Sequence, residues 1–209
     1  MDISLIIRLI QMGVKCFLAD RYHMEIEGIR IIDTPLNGAF LIKPKEFHDV
    51  RGDFYKTFTR KALEAKGVKP YFAEEYFSLS KRGVVRGLHF QTGDLAQGKL
   101  VSCTMGEIFD VIVDLREASG TYGRWISNIL NGKDRISLYV PRGFAHGFMA
   151  LSPEAVTFYK ADNDYSPAHE GGIRWDDPAL GIRWPDAGKV IVSEKDAGWP
   201  AFSPSKRMR

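Results

Sequence analysis

The sequence predicts an all-β domain, folded as a closed sandwich or jelly roll with a few short helices. From about Gly28 onward, short runs of alternating apolar and polar residues recur, and glycine-containing turns separate them. Sustained helical periodicity is almost absent from this part of the chain. Many short strands with regular turns are typical of sandwiches and jelly rolls, in which each sheet turns one apolar face to the core.

The first 26 residues are predicted to be an extension before this domain, which spans residues 27–202. Apolar residues within 3–18 recur near helical spacing, but charged and polar residues interrupt them. The stretch is too short and too charged to cross a bilayer and lacks a signal-peptide cleavage site, so a membrane partner is not expected. Two interpretations stay open: an amphipathic helix on an oligomer or membrane surface, or an upstream extension with Met24 as the true start.

Alternation and turn residues then predict the strands in order. A short helix is predicted over 61–67, ended by its glycine. The runs on either side of Gly106-Glu107 resemble the two arms of a hairpin. The predicted strands cover residues 39–42, 84–91, 101–105, 109–115, 125–130, 137–140, 144–151 and 155–161.

Composition narrows the classes of partner. The net charge is +3, and no dense basic run is interleaved with aromatic residues, so nucleic acid is not an expected partner. The short basic tail at 203–209 does not change this. A mildly positive balance suits a small anionic ligand. The two cysteines, Cys16 and Cys103, form no metal-binding or disulfide pattern, which favours a reducing, cytoplasmic location.

One predicted strand carries a histidine in a setting that suggests a ligand pocket. Alternation places Gly87, His89 and Gln91 on one face of this strand and Arg86 on the other. If Arg86 and His89 serve one ligand, the strand must bulge, and Gly87 is the natural position for the bulge. The common alternative is a buried core histidine with satisfied hydrogen bonds.

Two further residues suggest chemistry. Lys99 opens a strand directly after a glycine and shares a face with apolar residues, so it could point inward, although lysines at strand entrances are usually solvated. Tyr159 lies on a face otherwise made of the small residues Ala155, Thr157 and Ala161, which leaves room for a ligand beside its hydroxyl. The alternative is an ordinary sheet tyrosine with its hydroxyl at the rim.

Taken together, several runs resemble one family. They are Arg-Gly-Leu-His-Phe-Gln at 86–91, Ala-Gln-Gly-Lys-Leu-Val at 96–101, Gly-Glu-Ile-Phe-Asp-Val at 106–111, Gly-Phe-Ala-His-Gly-Phe at 143–148, Tyr-Ser-Pro at 165–167, Gly-Ile-Arg-Trp-Asp-Asp-Pro at 172–178 and Ser-Glu-Lys-Asp at 193–196. In this order they resemble the dTDP-4-dehydrorhamnose 3,5-epimerases. The resemblance implies a cupin-type jelly roll without metal or other cofactor, working as a homodimer with strands exchanged between subunits on a nucleotide-sugar substrate.

The resemblance also implies roles at matching positions. His89 matches the catalytic base, and Asp196 matches its orienting partner. Lys99 matches the group that steadies the enolate oxygen, and Tyr159 matches the acid on the opposite face of the sugar. Substrate contacts are expected at Arg86, Gln91, Arg51, Glu74, Tyr76 and His146.

The expected reaction is epimerisation at C3 and C5 of dTDP-4-keto-6-deoxyglucose. The chain departs from the family's pattern at positions expected to contact the ligand. These positions are Glu74, Glu75 and Tyr76, Lys56 and Arg142. Inversion at C3 only, or action on another nucleotide sugar such as a heptose, therefore stays open. A metal cupin is disfavoured because the histidines include no His-x-His pair. A sugar-binding module without activity is disfavoured by the intact histidine, lysine, tyrosine and aspartate set.

Overall fold

A computed structural model describes residues 23–203 of the protein. This part of the chain contains two short α-helices, α1 (Arg60–Glu64) and α2 (Glu194–Ala197), and a 3-10 turn at Gly93–Leu95. Its strands, β1 to β14 in chain order, are His23–Ile26, Ile29–Asp33, Phe40–Lys43, Lys45–Asp49, Gly52–Lys56, Glu74–Lys81, Val85–Gln91, Lys99–Met105, Glu107–Asp114, Trp125–Asn131, Ser137–Val140, Phe144–Ala150, Glu154–Ala161 and Glu170–Gly172.

Two sheets of antiparallel strands form the body of the fold. The larger sheet has seven strands in the order β1-β2-β3-β11-β8-β13-β6, and the smaller has five in the order β10-β9-β12-β7-β14. Among the described strands, β4 and β5 pair only with each other and form a separate hairpin. The predicted all-β fold, a cupin-type jelly roll with a few short helices, is confirmed.

The main core lies between the two sheets. Val101 and Leu138 of the larger sheet and Ile112 and Phe148 of the smaller sheet are fully buried there. Each such side chain contributes roughly 1.5–3 kcal/mol relative to an exposed position. Period-two alternation produces this core, because each strand turns every second residue inward.

The outer face of the smaller sheet is covered by the chain that follows β14. Leu180 and Trp184 from this C-terminal segment pack with Phe109 and Val113 of β9. The segment then returns to β7, where the amide of Val85 donates to the carbonyl of Ile191 at 2.9 Å. This contact brings α2 beside β7.

Helix α1 covers one end of the larger sheet. Thr59 caps its first turn by accepting a hydrogen bond from the amide of Ala62 at 3.2 Å, and Ala62 and Leu63 are buried. The helix predicted here is confirmed, and Gly67, with φ +71°, turns the chain after it.

The hairpin predicted around Gly106 is wrong. Strand β8 pairs with β11 and β13, whereas β9 pairs with β10 and β12, so the chain passes from one sheet to the other at this point. Gly106 allows the passage because it has φ +75° and a Cβ there would lie 2.1 Å from the carbonyl oxygen of Glu154. Alternation identified both strands, but it carries no information about their partners.

The larger sheet begins earlier than the predicted start near Gly28. Strands β1 and β2 are joined by a two-residue turn at Glu27 and Gly28, which have φ +53° and +81°. Such turns with positive φ match the twist of a hairpin. The predicted amphipathic stretch at 3–18 and most of the basic tail lie outside the described residues. Within residues 23–203, no helix is long and apolar enough to span a bilayer.

Candidate active site

Strand β7 contains the predicted bulge. Its pairing with β12 sets His89 opposite His146 but Arg86 opposite Phe148, so β7 has one extra residue between the two pairs. The extra residue rotates the strand, and the side chains of Arg86 and His89 line the same cavity. The bulge predicted at Gly87 is therefore confirmed.

Two glycines permit the close approach of β7 and β12 at the bulge. Gly87 has φ +126°, which side-chain-bearing residues rarely adopt, and a Cβ on it would lie 2.5 Å from the Cα of Gly147. A Cβ on Gly147 would likewise lie 2.7 Å from the carbonyl oxygen of Arg86. The position of His89 thus depends on backbone contact between the two strands.

His89 and Asp196 form a hydrogen-bonded pair. Nε2 of His89 lies 2.7 Å from Oδ1 of Asp196, and the amide of Gly87 donates to Oδ2 of Asp196 at 3.1 Å. Asp196 is held by α2, whose first turn is capped by the hydroxyl of Ser193. Since Asp196 engages Nε2, Nδ1 is the ring nitrogen left for a substrate.

Opposing effects determine the pKa of Asp196. Burial raises it, but the hydrogen bond and charge of His89, together with the Gly87 amide, outweigh burial and hold the pKa below its usual range. Asp196 is therefore ionised near neutral pH, as a group must be that orients an imidazole and stabilises it when protonated.

A cavity of about 350 Å³ opens in front of this pair. The volume is within the range of small-molecule sites. Seven of the ten site residues predicted from the sequence line it, namely His89, Asp196, Tyr159, Lys99, Arg86, Tyr76 and His146.

Tyr159 lies on the larger sheet, so the cavity separates it from the strand that carries His89. It is 7% exposed, and burial strongly raises its pKa, so the phenol keeps its proton. Tyr76, its cross-strand neighbour, stacks on it with ring centroids 4.9 Å apart. Burial also raises the pKa of Tyr76, to about 12. The phenols of Tyr159 and Tyr76 on this side of the cavity can donate a proton but cannot readily accept one.

Lys99 enters the cavity from the first position of β8. Val101 and Cys103, which share its face, are buried in the core, so the inward orientation that the sequence suggested is confirmed. Burial lowers the pKa of Lys99, while the charges of Glu170 and Glu74 oppose that shift. A cation in such a site interacts strongly with negative charge that develops on a bound molecule.

A second histidine–aspartate pair joins His146, which lines the cavity, to a buried carboxylate that was not predicted from the sequence. Nε2 of His146 lies 2.7 Å from Oδ2 of Asp110, which is fully buried, and burial raises the pKa of Asp110 despite the opposing charge of His146. The only signal in the sequence was a carboxylate on the same strand face as Ile108 and Ile112. Other lining residues that were not predicted are Ser78, Phe148, Ser193 and Lys195.

Three predicted contacts lie elsewhere. The side-chain amide of Gln91 donates to the carbonyls of Leu95 and Asp164, and its oxygen accepts from a backbone amide, so it holds the surrounding loops together. Glu74 accepts from the amide of Tyr165 at 2.8 Å. Arg51 lies at the exposed tip of the β4–β5 hairpin, paired with Asp49.

Comparison with known proteins places this site in context. A family model described as dTDP-4-dehydrorhamnose 3,5-epimerase matches residues 33–204. The dTDP-4-dehydrorhamnose 3,5-epimerase of Salmonella typhimurium is 45% identical over 171 residues, which make up 81% of this chain and 93% of that protein.

Solved structures of epimerases are also similar to this chain. The crystal structure of dTDP-4-dehydrorhamnose 3,5-epimerase from Elizabethkingia anophelis has a TM-score of 0.80 at 44% identity, covering 84% of this chain and 97% of that one. A dTDP-6-deoxy-D-glucose-3,5-epimerase from Legionella pneumophila, in complex with dTDP-4-keto-L-rhamnose, has a TM-score of 0.79 at 42% identity, covering 83% and 92%.

The fold, the cavity and these likenesses define an isomerase, of the class that epimerises nucleotide-linked sugars. Within this class, the chain belongs to the dTDP-4-dehydrorhamnose 3,5-epimerase family.

Proposed function

We propose that the protein converts dTDP-4-keto-6-deoxyglucose to dTDP-4-dehydrorhamnose, with His89 as the base that inverts C3 and C5. The observation that carries the proposal is the His89–Asp196 pair, which faces Tyr159 and Lys99 across one cavity. The substrate is the one that the names of its relatives indicate.

The reaction begins with proton removal from the carbon beside the C4 ketone. Such a proton is only weakly acidic, so a base must be positioned at the carbon and the resulting charge must be stabilised. Nδ1 of His89 takes the proton, and ionised Asp196 stabilises the imidazolium that forms. The cation of Lys99 stabilises the negative charge that moves to the C4 oxygen.

Inversion requires that a proton return from the other face of the sugar. Tyr159 lies across the cavity from His89 and keeps its proton near neutral pH, so it acts as the acid. Because C3 and C5 both flank C4, one enolate stabiliser can serve both inversions.

The remaining predicted residues bind or arrange the substrate. Arg86 and His146 lie on the smaller sheet side of the cavity and are proposed to contact the substrate and its diphosphate, while Tyr76 borders the sugar beside Tyr159. Gln91 and Glu74 act less directly, by holding the loops around residues 164–166.

The hairpin of β4 and β5 supports a homodimer with exchanged strands. It carries the exposed aromatic residues Phe47 and Phe54, and a lone hairpin with exposed apolar residues gains stability by packing on another surface. We propose that it crosses to a second copy and brings Arg51 to that copy's substrate. Light scattering should then report a dimer, and Arg51→Ala should raise KM more than it lowers kcat. The free thiol of Cys103 suits a cytoplasmic enzyme.

The test is incubation with dTDP-4-keto-6-deoxyglucose in deuterated water, with label at C3 and C5 read by NMR. The wild-type protein should incorporate deuterium and invert both carbons, whereas label at C3 alone would identify a C3 epimerase. His89→Ala should abolish exchange at both carbons. His169→Ala is the matched control, because this histidine lies outside the cavity and bonds to Ser166.

The variant Tyr159→Phe tests the role of the proposed acid independently of the proposed base. The variant keeps the ring and removes only the hydroxyl, so His89 still abstracts protons while return from the far face fails. Solvent deuterium should therefore enter the sugar with little net inversion. Near wild-type exchange in His89→Ala would refute the base, and full inversion by Tyr159→Phe would refute the acid.

A further inference from the structure

Polar side chains beside Tyr159 interrupt the apolar space between the two sheets, from the wall of the cavity inward. Ser78 and Thr157 are cross-strand neighbours on the inner face of the larger sheet. Asp110 and His146 face them from the smaller sheet and are bonded to each other. We call these four residues the inter-sheet polar cluster. The residues around them are mainly apolar, so the cluster needs a specific explanation.

Several polar atoms of this cluster have no partner. Within residues 23–203, Oγ of Ser78, Oγ1 of Thr157 and Oδ1 of Asp110 are buried and accept or donate no hydrogen bond. Asp110 and Thr157 are completely buried. Most buried polar atoms in native proteins are satisfied, and internal water with two to four polar partners serves those that other protein groups leave unpaired. Unpaired oxygens from both sheets thus form a site suited to bound water.

The cluster extends to the proposed acid. The ring of His146 lies edge-on to that of Tyr159, with centroids 6.1 Å apart. Burial raises the pKa of Tyr159, and the Ser78 hydroxyl is close enough to oppose that shift without forming a hydrogen bond of normal geometry. Ser78 and His146 also line the cavity, whereas Asp110 and Thr157 are completely buried, so the cluster leads from Tyr159 into the space between the sheets.

Tyr159 has little other access to protons during turnover. It is 7% exposed, Tyr76 stacks on its ring, and a bound sugar would occupy the cavity in front of it. While the sugar is bound, a phenol that gives up its proton in this position must be resupplied by polar groups of the protein.

We propose that the inter-sheet polar cluster is a proton relay that recharges Tyr159 after each inversion. The inference rests on the proposed function, in which Tyr159 is the acid. The proton shared by Asp110 and His146 passes through internal water and the hydroxyls of Ser78 and Thr157 to the phenolate.

Protons and electrons balance over one inversion. A C–H bond breaks, its electron pair enters the enolate, and His89 holds the proton. The O–H bond of Tyr159 then breaks as the new C–H bond forms on the opposite face, which leaves a phenolate. The relay restores the phenol, and His89 releases its proton to solvent. After the product leaves, solvent water in the cavity returns a proton to the pair of Asp110 and His146 through His146. No redox partner is involved.

The test measures the first inversion separately from later ones. Ser78→Ala and the nearly isosteric Thr157→Val each remove one hydroxyl of the relay. Rapid-quench experiments with excess dTDP-4-keto-6-deoxyglucose, followed by borohydride reduction, count inverted carbons per active site. Thr157→Val should invert one carbon per site at the wild-type rate, because Tyr159 starts protonated. Ser78→Ala, whose side chain lines the cavity, is judged by its ratio of later to first rates. Later inversions should be slower by roughly tenfold or more.

Ser127→Ala is the matched control. Ser127 is also buried, and its hydroxyl is also unpaired within the described chain. It lies on β10 next to Asn128, the cross-strand neighbour of Asp110, so alternation turns Ser127 to the opposite face of the sheet from Asp110. Its ratio of first to later rates should equal that of the wild type.

Other outcomes overturn the relay. If Ser78→Ala and Thr157→Val leave later inversions at the wild-type rate, or slow the first inversion equally, no relay passes through these hydroxyls. If Tyr159→Phe exchanges without inverting while both variants behave as wild type, the relay fails and the proposed function stands. If Tyr159→Phe inverts the substrate at the wild-type rate, both proposals fail.

Discussion

Replacing Asp196 with asparagine tests how the proposed base is oriented. The carboxylate of Asp196 forms hydrogen bonds with Nε2 of His89 at 2.7 Å and with the amide of Gly87 at 3.1 Å. Asparagine has one accepting oxygen, and the Gly87 amide can only donate. The oxygen therefore stays with Gly87, and the asparagine nitrogen turns to His89 and donates to Nε2. This bond forces the ring proton onto Nδ1, the nitrogen that must accept the substrate's proton.

The expected fall in the exchange rate of Asp196→Asn has two causes. The imidazolium loses a charge-assisted hydrogen bond, which is worth about 1.5–3 kcal/mol, or roughly 10- to 150-fold in rate. An inverted tautomer in a histidine–aspartate pair lowers kcat by up to about 10⁴-fold. We expect exchange at C3 and C5 to fall by between roughly 10² and 10⁴. The fold should persist, because the asparagine keeps the Gly87 contact and the side-chain shape.

The assay is deuterium exchange by NMR, with thermal unfolding followed by circular dichroism. Glu194→Gln is the matched control, since it removes a carboxylate from the same helix at an exposed position. An Asp196→Asn protein that is folded and exchanges within threefold of the wild type would show that the carboxylate does not orient the base.

Three further outcomes are expected. Gly87→Ala should lower the free energy of unfolding in urea by roughly 2–5 kcal/mol and abolish activity, because its Cβ would meet Gly147, whereas Gly120→Ala, with no atom within 4 Å, should do neither. Lys99→Met should lower exchange at both carbons by roughly 10²–10³, and exchange at a near wild-type rate would exclude it as the enolate stabiliser. Because the pKa of Asp196 is lowered on folding, its stabilising contribution is present above the ordinary carboxyl pKa of 3.8 and is lost as the pH falls through the lower folded value. The acid limb of the unfolding curve should therefore be shallower in Asp196→Asn than in the wild type.

Much of the fold could be predicted because its central strands alternate clearly. The strand at Ser137–Val140 has the predicted bounds, and those near 125–130 and 155–161 differ from the structure by a single residue at one end. Strand β6 was missed because its pattern is reversed. Phe77 and Leu79 point outward and are exposed, while Ser78 and Ser80 point inward. Strands β4 and β5 were missed because they are mostly exposed on both faces.

The site could be predicted only in part from the residues themselves. The alternation around Gly87 indicated that His89 and Arg86 could share a ligand only if the strand bulged, and the structure has that bulge. Asp196 carried no such signal, since 107 residues separate it from His89 and only the resemblance connected them. The role of Asp110 was not predicted, because a carboxylate that alternates with apolar residues along a strand normally faces water. Its burial depends on His146, which the neighbouring strand β12 supplies.

Asp196 reaches His89 only through the C-terminal segment, so the sheets can be folded before the protein is active. Both sheets are complete by Gly172, and the dyad forms only after the C-terminal segment has crossed the smaller sheet and docked at β7. During synthesis, a nascent chain could thus pair every strand while the histidine still lacked its carboxylate. A proteolytic cut shortly before α2 would likewise separate Asp196 from His89 while the strands and the apolar residues that cover them stay in place, so activity reports whether α2 is docked.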